Sequence, residues 1–208
     1  IDHAGTYADA AERAANNGVV IKNVSGLKVA IIAYTKGLGG LQLPEGAEYA
    51  VNLLYKDYST DYEKLDMSAL LDSVDAAKAL KPDIILVMLH WGSEATLEPT
   101  RTQESIAKQL FERGADAVIG SHSHLVGRME TMDITTDDGK EKTCFVAYSL
   151  GNFLSHQKET INLLGGMASV TIVKDKDGTR VEEYELKPTI NVILRDPASG
   201  WYDYRPML

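Results

Sequence analysis

Two stretches of the chain run apolar without alternation and then end in histidine. Pro82-Asp83-Ile84-Ile85-Leu86-Val87-Met88-Leu89 leads into His90-Trp91-Gly92, and Ala117-Val118-Ile119 leads into Gly120-Ser121-His122-Ser123-His124. Unbroken apolar runs of this length, bounded by turn residues, read as strands of a parallel sheet covered on both faces. Between them, a segment from about Thr102 places Ile106, Leu110 and Phe111 on one helical stripe, and Arg113-Gly114 ends it. Strand, helix, strand makes one βαβ unit. Both strands finish at the same rim, where open α/β sheets place their ligands.

The same periodicities order the rest of the chain. Thr6 to Asn17 predicts a short helix capped by Thr6 and stopped at Asn16-Asn17-Gly18. Val19–Val24 and Lys28–Thr35 predict a hairpin turned at Ser25-Gly26. Lys36 to about Tyr62 has no period, carries glycines and tyrosines, and predicts a long functional or wrapping loop. Asp66 is expected to cap a helix that buries Leu70, Val74, Ala77 and Leu80. Two more hairpins follow: Val126–Ile134 with Thr143–Leu150 through Asp137-Asp138-Gly139, and Met167–Lys174 with Arg180–Lys187 through Asp177-Gly178. The segment 196–208 reads as a surface tail. No repeat or linker divides the chain, so the pattern describes an α/β protein with one core.

Composition narrows the function classes. A net charge of −9 and a pI near 5.0 leave no basic field to collect phosphates, which argues against nucleic acid as a partner. The lone cysteine, Cys144, lies in the apolar run Thr143 to Tyr148 and reads as an inert buried thiol. No stretch approaches the roughly 20 apolar residues that a membrane-spanning helix needs. The chain opens at Ile1 without methionine, and is expected to be a piece of something longer.

Chemistry gathers at the two strand ends. His122 and His124 lie two apart, and just past a strand both can turn toward one centre with His90. Neutral imidazole is the commonest transition-metal ligand, so three at one rim predict a metal site, with a position left open for water. A two-metal hydrolytic centre needs a bridging carboxylate as well. Glu94 is the nearest acid, as a catalytic group or as a solvated loop residue. Asn152 either orients a ligand or caps its turn. His156 and His3 read as solvent-facing, and neither Ser121 nor Ser123 has the flanking pattern of a nucleophilic serine.

Taken in order, these residues resemble a known family. His90-Trp91-Gly92-Ser93-Glu94, Pro99 and Gln103, Gly114 through His124, and Tyr148-Ser149-Leu150-Gly151-Asn152-Phe153 are similar in order and spacing to the bacterial poly-gamma-glutamate capsule biosynthesis family of the CapA type. Gly5-Thr6-Tyr7, Gly26 to Ala30, Tyr34 to Gly37 and Leu43-Pro44-Glu45-Gly46 continue the likeness. The resemblance implies a four-layer αββα sandwich related to calcineurin-like metallophosphoesterases, here missing its N-terminal strands. It implies two divalent metal ions of the Mn/Zn/Fe class, with His90 and His122 serving one and His124 the other. The remaining ligands would lie on an upstream half, so that this chain alone holds metal weakly or not at all.

The implied role is capsule synthesis in the cell envelope, outward-facing or membrane-anchored, with capsule polymer or a small anionic substrate and other envelope proteins of the pathway as partners. Metal-dependent hydrolysis or transfer is the first reading, and a non-enzymatic component that binds or helps export polymer is the second. Without the upstream strands, the Ile84 and Ala117 strands are expected to leave an unpaired edge and bare apolar surface. Self-association through that truncated face would follow, unless the Lys36–Tyr62 loop folds over it.

Overall fold

The computed structural model of the protein describes residues 2–176 and 178–208. In chain order its elements are α1 Ala10–Asn16, β1 Val19–Val24, β2 Leu27–Thr35, α2 Ser68–Ala79, β3 Ile84–His90, α3 Arg101–Arg113, β4 Ala117–Ser121, β5 Met129–Thr135, β6 Glu141–Ala147, β7 Leu164–Asp175, β8 Gly178–Arg195 and β9 Tyr202–Met207. The first six strands form a mixed sheet in the order β1-β2-β3-β4-β6-β5, and the last three form a small antiparallel sheet. Strands β2, β3, β4 and β6 are parallel, with β1 and β5 antiparallel at the edges.

Alternation along the central strands explains the layers. Ile85, Val87 and Leu89 of β3, Val118 of β4 and Cys144 and Val146 of β6 face α2 and α3, joining Leu70, Val74, Ile106, Leu110 and Phe111 in the main core. The intervening residues Leu86, Ala117, Ile119, Phe145 and Ala147 face the other way and meet Ala168, Val170 and Val181 of the small sheet. Helix α3 starts firmly because Thr100 and Gln103 form a reciprocal capping box. Its buried stripe is worth about 1.5–3 kcal/mol per large side chain removed from water.

Several expectations are corrected. Three layers are seen among the described residues (helices, mixed sheet, small sheet) in place of four. The Ile84 and Ala117 strands are central, β3 between β2 and β4, and β4 between β3 and β6. The expected unpaired edge beside them does not exist, because the hairpin partner β2 occupies one side and β6 the other. Apolar exposure does survive on the face away from the helices, where Met88 is 45% exposed.

The Lys36–Tyr62 loop covers the end of β2 and not a sheet flank: Thr35 N donates to Asn52 O, Leu54 N donates to Thr35 O, and Leu54 is fully buried. Helix α1 begins at Ala10, because Asp9 rather than Thr6 accepts the capping bond from Glu12 N, while Thr6 bridges to Val51. Asp66 stands one residue before the N-cap position of α2 and binds Ser68 through its backbone N–H and its hydroxyl. Leu80 falls beyond that helix and is largely exposed. The tail is a strand, β9, paired from Arg195↔Tyr202 to Ile190↔Met207. Asp177, placed by the sequence pattern in the last hairpin turn, lies outside the described residues.

Candidate metal centre

Parallel register assembles the site floor. Thr35 pairs with His90, and His90 pairs with Ser121, so the ends of β2, β3 and β4 stand side by side. Strands this close need a residue without a side chain at the crossing. A Cβ on Gly120 would lie 2.1 Å from Tyr148 O and 2.4 Å from Trp91 Nε1. The indole N–H instead donates to Tyr148 O at 3.0 Å, and the two rings stack with centroids 5.8 Å apart.

Beyond Ser121 the chain turns through an unusual path. His122 has φ 113° and His124 φ 62°, both in the left-handed region that side-chain-bearing residues avoid. The turn is pinned by Ser123, whose buried hydroxyl donates to Leu125 O, and by Ala95 N donating to Ser123 O. The result brings His90 and His122 to a ring-centroid separation of 4.4 Å, and His122 and His124 to 6.4 Å.

Hydrogen bonding fixes the tautomer of His124 and anchors the ring of His90. Asn152 is buried, and its Nδ2 donates to Gln157 Oε1 at 2.9 Å and Asn162 O at 3.0 Å. That leaves Oδ1 facing His124 Nδ1 at 2.8 Å, so Nδ1 carries the proton. Thr35 Oγ1 lies 3.0 Å from both Gly37 O and His90 Nδ1, and so anchors the His90 ring. With Nδ1–H committed to Asn152, His124 keeps its Nε2 lone pair available, which is the usual arrangement around a metal-binding histidine.

Electrostatics act in the same direction. Burial, then the Lys36 charge and the His124 ring, lowers the His90 pKa. Burial and the His90 ring bring His122 down to about 4. Both rings are therefore neutral donors near pH 7. Glu94 opposes these shifts through its field; it is exposed and lines the same cleft of about 560 Å³ as the three histidines, Lys36 and Tyr62. Asn152 acts on His124 rather than on the cleft. His156 is exposed, its ring against Tyr204, and His3 is exposed 3.7 Å from Glu12. Lys36, Thr35 and Tyr62 were not singled out from the residues alone. Thr35 and Lys36 had a sequence signal in the Tyr34-Thr35-Lys36-Gly37 segment of the family resemblance, and Lys36 and Tyr62 in the bounds of the long aperiodic loop.

The sequence profile described as bacterial capsule synthesis protein PGA_cap matches residues 1–157, three quarters of the chain and all five candidate residues. The chain belongs to that family. Its relatives include the capsule biosynthesis protein CapA of Bacillus anthracis, 27% identical over 142 residues, and the PGA biosynthesis protein CapA of Bacillus subtilis (strain 168), 28% identical over 110 residues. These alignments cover 67% and 51% of this chain but only 30% and 27% of those proteins. Among solved structures, a Staphylococcus aureus protein provisionally described as a 5′-nucleotidase, crystallised with alpha-ketoglutarate, aligns with TM-score 0.47 and 22% identity, over 82% of this chain and 29% of its own. The sulfate thiohydrolase SoxB of Thermus thermophilus aligns with TM-score 0.44 and 15% identity, over 82% and 24%. At TM-scores below 0.5 neither likeness bears on activity.

For this PGA_cap chain the donor set fits a metal in part. Three imidazoles line one cleft, and His124 commits Nδ1–H to Asn152 and keeps Nε2 available. Among the described residues, however, no group of three or more His, Cys, Asp or Glu side chains stands in position to hold an ion by itself. Glu94, exposed, lines the same cleft and makes no ion pair among the described residues. No helix of the described residues is long and apolar enough to cross a membrane.

Proposed function

We propose that this chain carries the histidine side of a divalent-metal centre in a capsule or poly-gamma-glutamate biosynthesis protein of the CapA type, and that the centre performs metal-dependent hydrolysis or transfer on an anionic substrate. The observation that carries the reading is the pair of oriented imidazoles. His124 commits Nδ1–H to Asn152 and keeps Nε2 available, and Thr35 Oγ1 anchors the His90 ring through Nδ1. A side chain with only a turn to stabilise has no need of two such supports on neighbouring histidines.

His90, His122 and His124 would hold metal of the Mn/Zn/Fe class, with the remaining ligands outside this chain. Asn152 and Thr35 are positioning residues. They hold the two rings in place and limit the reorganisation needed on loading. Bound metal supplies Lewis-acid polarisation of a phosphoryl or carbonyl oxygen. Glu94, exposed at the cleft wall, is placed to exchange a proton between a bound substrate and solvent. Capsule polymer or a smaller anionic precursor is the substrate class, the cell envelope the setting, and other envelope proteins of capsule synthesis the partners.

Elemental analysis of the full-length gene product, beside His122→Ala, tests the centre, together with turnover of phosphodiester and γ-glutamyl amide substrates. Metal bound by the wild type and reduced in the variant, with metal-dependent turnover, is the expected result. A metal-free wild type without turnover would reject the reading in favour of a non-enzymatic polymer-binding role.

A further inference from the structure

We infer that Lys36 is the anion-receiving residue of the histidine cleft, taking a carboxylate or phosphate oxygen of the ligand beside the imidazoles. The inference rests on the proposed function for the identity of the cleft as the binding site. It goes further in naming the recognised group and the residue that recognises it.

The placement of the ammonium carries the argument. Lys36 follows β2 directly, and its backbone N donates to His90 O at 2.7 Å, so the residue is tied to the strand end that presents the first histidine. Its side chain is half-buried. Nζ donates to Gly92 O at 2.7 Å and lies 4.4 Å above the centroid of the Tyr62 ring. Gly92 is itself held, because any Cβ there would meet the Gln103 side chain, which is engaged in the α3 cap. The charge is thus fixed at two points by neutral partners, and no carboxylate of the described residues pairs with it within 4.0 Å. An ammonium has three donors, and here hydrogen bonds leave two unclaimed.

The same charge is misplaced for a site that holds only a cation. It stands in the same cleft as the three imidazoles and would oppose any positive ion beside them. A bound oxyanion would offset that repulsion, because it carries the opposite charge and its oxygens can accept the unclaimed N–H bonds of the ammonium. Among the described residues, cations near the other clefts are already paired, as Lys142 is with Asp116. Beside α1, Lys22 likewise pairs with Asp2.

The test titrates two probes, inorganic phosphate and γ-glutamylglutamate, by calorimetry into full-length wild type, Lys36→Met and Lys36→Arg, each metal-loaded and chelated. Bound metal is counted in the same samples. Methionine keeps the stem packing over Tyr62 and removes the charge. The expected result is a Kd for the preferred probe raised about 10- to 100-fold in Lys36→Met, the usual weight of a charge-assisted hydrogen bond, and largely recovered in Lys36→Arg. The probe with the larger ratio names phosphate or carboxylate as the recognised group. Equal Kd values in wild type and Lys36→Met, or no binding of either probe by the wild type, overturn the inference. So does metal loss in Lys36→Met as complete as in His122→Ala, which would make Lys36 a support of the centre. A metal-free wild type refutes the metal reading alone, and the Lys36 dependence of anion binding in the chelated samples then decides this inference separately.

Discussion

Replacing Asn152 with alanine isolates the link between the turn after β6 and the imidazole it holds. The side chain makes three hydrogen bonds, to His124 Nδ1, Gln157 Oε1 and Asn162 O. At about 0.5–1.5 kcal/mol net for each, their sum lies between about 1.5 and 4.5 kcal/mol. Gln157 is only partly buried and can turn to water, and so can His124, which favours the lower half of that range. We expect a loss of about 2 kcal/mol, or a fall in Tm of about 4–8 °C for a chain of this size. Without the Oδ1 acceptor, His124 is no longer confined to the Nδ1–H form. Metal affinity of the full-length protein should fall about 10- to 100-fold, as for other lost supports of a ligating histidine. Urea unfolding reads the first effect, and long-range proton–nitrogen NMR of the imidazoles reads the tautomer directly. A wild-type His124 protonated on Nε2, or an Asn152→Ala variant with unchanged tautomer and stability, would refute the reasoning.

Gly120→Ala should be far more damaging than its size suggests, because the methyl group meets a backbone oxygen that cannot turn aside; we expect about 3 kcal/mol, read as a lowered urea midpoint of Trp91 fluorescence, and an unchanged midpoint would contradict the close packing. Cys144, whose thiol burial pushes up to about 12, should resist Ellman's reagent at pH 8 in the native protein and react fully in guanidinium. Asp66 is held at about 2, first by the Ser68 hydroxyl and then by the Ser68 backbone N–H. Its folded pKa lies below the unfolded value, so its contribution is complete above about pH 4 and disappears as pH falls through about 2. Because the group is largely exposed, the stability difference between wild type and Asp66→Ala should stay below about 1 kcal/mol at pH 6 and vanish near pH 2.

The βαβ unit and its histidine-tipped strands were legible because unbroken apolar runs and a 3.6-residue stripe are strong local signals. The Ser25-Gly26 hairpin was legible for the same reason, and both turn residues do adopt positive φ. What joined His90 to Thr35 was not local. It depends on the parallel register Val29↔Ile84, set by burial of two strands 55 residues apart. Lys36 and Tyr62 reach the cleft through a loop with no period, whose length marked it as functional but could not single out which side chains face the histidines. The small sheet was underestimated for a different reason. Pro188 within β8 and Pro206 within β9 look like strand breakers, yet Pro206 sits on an edge strand, where a missing N–H costs little. The error over the unpaired edge came from assuming that strands absent by family comparison must have neighboured β3 and β4, whereas β2 and β6 fill those positions.

The backbone at His122 and His124 has an implication for how this protein could be made sturdier. At φ 113° and 62°, glycine would be more comfortable than histidine at both positions, by roughly 1 kcal/mol or more each. A search for thermostable variants, blind to activity, should therefore drift toward glycine at the very residues that face the cleft, and each step would erase a ligand while hardening the fold. Chain robustness and the presence of these imidazoles pull in opposite directions along three consecutive residues.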